Sequence, residues 1–112
     1  MNEDMFEDIF WHDGNVIGFQ FSTMPQTACL KVRLMLYPDI RSSTREMFEL
    51  AVINPKRVLL SADIMDLIDN YGAGHISDGV ILKRDGSSIV KIELTLGYIE
   101  IHCDGVSIIS VS

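Results

Sequence analysis

The sequence predicts a mainly β protein: an antiparallel β-sandwich or partly open barrel of about seven or eight strands with one short helix. Three observations carry that expectation. From Val16 onward, apolar residues recur at every second position, the period of a strand with one wet face. Gly, Pro, Asn and Asp punctuate these stretches at short intervals, and those residues turn a chain. Beyond the N-terminal ten residues only the segment 63–72 has a helical period, so the β-α-β alternation of a parallel sheet is missing. A chain of 112 residues fits one β-rich domain spanning 1–112.

Taken in order, Met5, Phe6, Ile9 and Phe10 sit at helical spacing with acids on the other face, which suits one or two turns capping a sheet. Trp11-His12-Asp13-Gly14-Asn15 breaks that pattern with turn residues. Ile17, Phe19 and Phe21 then alternate with Val16, Gly18 and Gln20. Beyond a loop containing Pro25, Leu30, Val32, Leu34 and Leu36 alternate with Cys29, Lys31, Arg33, Met35 and Tyr37. Placing Phe21 opposite Ala28 sets Phe19 against Leu30 and Ile17 against Val32, so inward residues meet inward residues. Pro38-Asp39 opens a polar loop through Ser43. A strand from Arg45 to Ile53 points Phe48, Leu50 and Val52 inward, Asn54-Pro55 turns, and Arg57 to Ala62 forms another strand. In the helical segment Asp63 is the N-cap, Ile64, Leu67, Ile68 and Tyr71 form the apolar stripe, and Gly72 stops it.

The last third predicts a meander. Val80 and Leu82 face inward and Asp85-Gly86-Ser87 turns. Val90, Ile92, Leu94 and Leu96 alternate with Lys91, Glu93 and Thr95, and Gly97-Tyr98 reads as a two-residue turn with glycine first. That register pairs Leu96 with Ile99, Leu94 with Ile101 and Ile92 with Cys103, and sets Glu93 opposite His102. Asp104-Gly105 reads as a second tight turn. Ile109 and Val111 then fall on the outer face of a last strand at a sheet edge.

Net charge is −7, from 16 acids against 9 bases. Residues 1–10 and 63–78 each carry four acids and no Lys or Arg. Such a field repels phosphate backbones and anionic lipid and attracts cations, so nucleic-acid and membrane binding are disfavoured and a basic protein is the expected partner. No apolar run approaches the roughly 18 residues that cross a bilayer. The first five residues carry acids where a secretory signal carries bases, which leads to a cytoplasmic expectation. Cys29 and Cys103 match no zinc or redox spacing and point to opposite faces, as two free thiols would.

Several clusters invite chemistry. His12-Asp13 has the residues of a metal pair, but in a β chain an Asp-Gly-Asn turn is the expected use. Asp63, Asp66 and Asp69 are oxygen ligands in type, yet carboxylates three residues apart on a helix span nearly two turns and suit a solvated face better than one cation. The loop Gly72 to Gly79 follows a helix instead of opening one, so it lacks phosphate-cradling amides, while His75 and Asp78 place two titratable groups there. Glu93, Glu100 and His102 share an outer face, where Glu93 and His102 suit a cross-strand pair. No nucleophile elbow, P-loop, zinc-helix motif or paired CxxC occurs.

Trp11-His12-Asp13 ahead of alternating strands, and the stretch from Ser61 to Gly74, resemble a group of small β-rich bacterial proteins that includes polymorphic-toxin immunity proteins. The resemblance covers about a quarter of the chain and implies docking on a protein, not catalysis. The functional expectation is therefore a non-enzymatic acidic binding protein, without cofactor or metal, using Asp63, Asp66, Asp69, His75 and Asp78. Two alternatives stand beside it. One is a small metal-dependent hydrolase near His75 and Asp78, with His12 as a further group. The other is a structural subunit that forms a homodimer through its C-terminal edge strand.

Overall fold

The computed structural model describes residues 10–24, 27–39, 41–62 and 75–111. They form six antiparallel strands in one sheet: β1 (Phe10–Met24), β2 (Thr27–Tyr37), β3 (Glu46–Ala62), β4 (Ile76–Arg84), β5 (Ser87–Leu94) and β6 (Gly97–Ser110). Their spatial order is β1-β2-β3-β6-β5-β4. The all-β expectation holds, and the described residues contain no helix. The helix expected over 63–72 lies outside the described residues, as do the first nine residues of the expected N-terminal turns; Phe10 opens β1.

Two expected turns are not turns, which reduces the strand count to six. Asn54-Pro55 and Asp104-Gly105 lie opposite each other inside the long β3–β6 ladder, between the pairs Ile53–Gly105 and Pro55–Cys103. Asn54 takes a left-handed φ of 52°, which asparagine tolerates, and its amide donates to the Asp104 carboxylate. An extra residue between Pro55 and Arg57 makes a bulge, where proline's missing N–H is harmless. The inward phase changes across the bend on β6, while on β3 the bulge restores it, so that Val58 packs on the core with the parity of Leu50 and Val52. On β6, Ile99, Ile101 and Cys103 are buried before the bend, and Val106 and Ile108 after it. Turn chemistry here bends a two-stranded ribbon without ending either strand.

That bend organises the core. β2 pairs with β3 over Glu46–Val52, and β5 pairs with β6 over Gly97–Cys103, on opposite sides of the bend. Leu30, Val32, Leu34, Leu36 and Leu50 from one half nevertheless share a single buried cluster with Ile76, Val90, Ile92 and Ile101 from the other. Removal of these side chains from water is the main force holding the halves together. The expected inward positions of β2 are all buried, as are Val90, Ile92 and Leu94 of β5; Leu96, expected inward with them, lies in the turn after β5 and is exposed.

Register differs from expectation in three places. β1 and β2 are joined after Met24–Thr27, so Phe21 faces Leu30 and Phe19 faces Val32, two residues from the expected alignment. An even shift keeps the same faces inward. Phe19 and Phe21 remain exposed because β1 is an edge strand, and Ile17 is the unpaired residue of a bulge. In the β5–β6 hairpin the turn is Thr95-Leu96, with Leu94 opposite Gly97 and Ile92 opposite Ile99. Gly97 is glycine for a different reason, since a Cβ there would stand 1.9 Å from the Ser61 carbonyl oxygen. In β4 a bulge at Ser77 reverses the face, so Ile81 packs on the core while Val80 and Leu82 are exposed.

The C-terminal strand is interior over Gly97–Cys103. Beyond Cys103 its described ladder partner is β3 alone, and Ile109 is exposed there, as its register implied. Both cysteines are free, Cys29 exposed and Cys103 buried.

Candidate functional site at the corner of β1 and β4

The two outermost strands meet at one end of the sheet. Asn15 of β1 and His75, just ahead of β4, form an isolated antiparallel bridge. β1 reaches across because it bows out: from Phe10 to Asn15 it advances five residues while β2 advances two, from Tyr37 to Met35. The expected turn at Trp11–Asn15 is thus a wide bulge within a strand, with Asp13 at φ 69°. Trp11 is buried and lies on Gly79, where a Cβ would come within 2.5 Å of the indole. The β4 glycine is the seat of a β1 tryptophan.

Around that contact four polar residues interlock. His75 Nε2 lies 2.8 Å from Asp13 Oδ1, and its Nδ1 lies 3.1 Å from Thr95 Oγ1. A carboxylate only accepts, so the His75 proton toward Asp13 is on Nε2. His12 Nδ1 donates to the Ser77 carbonyl at 2.8 Å, and its Nε2 stands 3.6 Å from the same Asp13 oxygen. The imidazoles meet edge to face, with centroids 6.2 Å apart. The hydrogen bond from His75 lowers the Asp13 carboxyl below the ordinary aspartate value; desolvation opposes it in part, and the neighbouring His12, His75 and Arg45 charges add to it. The backbone joins in, since Thr95 N–H donates to the His75 carbonyl at 3.0 Å. Thr95 Oγ1 is also 3.4 Å from that carbonyl, a second acceptor for its proton.

Of the residues singled out from sequence, His75 and His12 are brought together here and Asp78 is not part of the cluster. The Asp78 carboxylate accepts the Gly79 N–H at 2.8 Å. Asp63, Asp66 and Asp69 lie outside the described residues. Asp13 is legible in the sequence as a turn residue or as half of a metal pair with His12, and Thr95 as a strand neighbour, but neither as a partner of His75, which is 62 and 20 residues away, respectively. Among the described residues, no three His, Cys, Asp or Glu side chains form a metal-binding group.

Next to the corner, Asp78 on β4 stands directly opposite Glu93 on β5, and both are exposed. Like charges in that position oppose strand pairing, and neither forms an ion pair among the described residues. The expected Glu93–His102 pair does not form. Glu93 faces Tyr98 on its other side, while His102 donates to Glu100, two residues away on its own strand, at 2.7 Å. That bond lowers the Glu100 carboxyl.

No helix among the described residues is long and apolar enough to cross a membrane. No protein family, curated protein or solved structure matches the chain.

Proposed function

We propose that the chain is a non-enzymatic binding protein that engages a basic protein in the cytoplasm, through the acid pair at the corner end of β4 and β5. The observation that carries this reading is the exposed acid pair, Asp78 opposite Glu93. Folding alone disfavours that arrangement, whereas a cationic partner is drawn to it, and the −7 net charge steers such a partner inward. Asp13, ionised and half exposed at the adjacent corner, extends the same field. The architecture belongs to the proposal too: a partly open barrel whose lips, β1 and β4, are pinned by Trp11 and His75, leaving the outer faces for docking.

Calorimetric titration with an octalysine peptide tests it. Binding should weaken roughly tenfold or more between 50 and 200 mM salt, by analogy with other multivalent charge contacts. The Asp78→Asn/Glu93→Gln double variant should bind less while melting at the same or a higher temperature. Binding equal to wild type in that variant, or none at low salt, contradicts the proposal.

The chain Thr95–His75–Asp13 favours a second reading, a small hydrolase with Thr95 as nucleophile and His75 as base. It requires ester hydrolysis that disappears in Thr95→Val. The acid pair has no part in that chemistry, so the two readings separate cleanly.

A further inference from the structure

We infer that the outer edge of β1, residues 16–24, is the docking surface for a second copy of this chain, paired antiparallel about a two-fold axis at Gln20. β1 is an outermost strand, and beyond the Asn15–His75 bridge no described backbone group pairs with this edge. Exposed edges are ordinarily guarded by charge, proline or a bulge. Here the only such feature is the bulge at Ile17, near the start, and the nine residues Val16-Ile17-Gly18-Phe19-Gln20-Phe21-Ser22-Thr23-Met24 contain no charge and no proline. Ile17, Phe19 and Phe21 are 49%, 38% and 53% exposed, high values for large apolar side chains.

Charge selects the occupant. Two chains of net charge −7 repel, so they meet best where neither presents an acid, and this stretch is such a surface. The charged neighbours on β2, Lys31 opposite Gln20 and Arg33 opposite Gly18, are engaged by Glu49 on β3, at 3.9 and 3.4 Å. The edge therefore offers no acid to a basic partner, and its two neighbouring cations already share one carboxylate. Its pattern is also self-complementary. With Gln20 on the axis, Gly18 meets Ser22 of the second copy and Phe19 meets its Phe21. Four phenyl rings then gather on the face that Phe19 and Phe21 already share with buried Val32 and Leu30. A ladder this short is a small interface, on the order of 1,000 Å² in total at most, so association in the micromolar range is expected.

Sedimentation of the full chain between about 1 and 500 μM tests the inference, with micromolar dimerisation as the expected result. Gln20 is exposed and pairs with Lys31 on the outer face, so substitution there leaves the core intact. On the axis each Gln20 faces its own mate. Gln20→Glu and Gln20→Lys should therefore both weaken self-association, by roughly fivefold, and an equimolar mixture of the two should restore it. A monomer at every concentration overturns the inference. So does weakening by one charge only, without rescue on mixing, which identifies the edge as the seat of a different, charged strand. Octalysine binding depends on Asp78 and Glu93, so failure here leaves that reading standing and the converse also holds.

Discussion

β1 and β4 hold equivalent places, one at each end of the same six-stranded order, yet they end the sheet in opposite ways. β1 is uncharged from Val16 to Met24, whereas β4 carries Asp78, Lys83 and Arg84 in nine residues. A charged edge resists the addition of another strand, and an uncharged apolar one accepts it. The difference divides the labour: β4, with β5 beside it, is a charged edge that sets the Asp78–Glu93 acid pair at its corner end and Lys83, Arg84 and Lys91 further along, and β1 presents a backbone edge suited to a strand. Only at the corner do the two become one structure, through Trp11 on Gly79 and His75 on Asp13.

The largest effects should show whether the edges rest on one core. Leu34 on β2 adjoins β1 and Ile92 on β5 adjoins β4, and both are fully buried in the same cluster. Leu34→Ala and Ile92→Ala should each cost about 2–5 kcal/mol and leave a single denaturant transition. Two separate transitions would divide the halves. The glycines sharpen the comparison at smaller scale. Gly79→Ala drives a methyl into Trp11 and should cost about 1–3 kcal/mol. Gly18→Ala on β1 meets only Arg33 Cβ at 3.4 Å and should fall within about 0.5 kcal/mol of wild type. Equal costs would mean that Trp11 does not pin the corner.

Smaller still is the polar lock. His75→Ala should cost about 1 kcal/mol through the lost hydrogen bonds. The sign of its pH dependence follows from Asp13, whose folded-state pKa is depressed chiefly by His75. The stabilisation is present above the unfolded aspartate value and is lost as pH falls through the lower, folded one. Melting followed from pH 6 down to pH 2 should decline less steeply in Asp13→Asn than in wild type. Parallel declines would remove Asp13 from the account.

Local polarity made the interior of the sheet legible in the sequence, and paired features at long range were hidden from it. Leu30, Val32, Leu34, Val90, Ile92 and Leu94 are buried as their alternation required, because one wet face imposes a period of two whatever lies beyond the strand. Asn54-Pro55 and Asp104-Gly105 misled because a bend in a ribbon uses the same residues as a turn. Nothing local reveals that two such sites face each other fifty residues apart. Gly97 likewise carries the residue of a tight turn for the sake of the Ser61 backbone. At the site, His75 stood out by type, but Asp13 and Thr95 acquire meaning only once the corner has formed.

Amide hydrogen exchange, read residue by residue at about 10 and 500 μM protein, tests the contrast between the edges most directly, because it reports on each strand separately. Protection that rises with concentration over residues 16–24 and stays constant over 76–84 is the expected result. A rise confined to β4, or shared equally by both, would contradict the assignment of the uncharged strand as the surface where two copies meet.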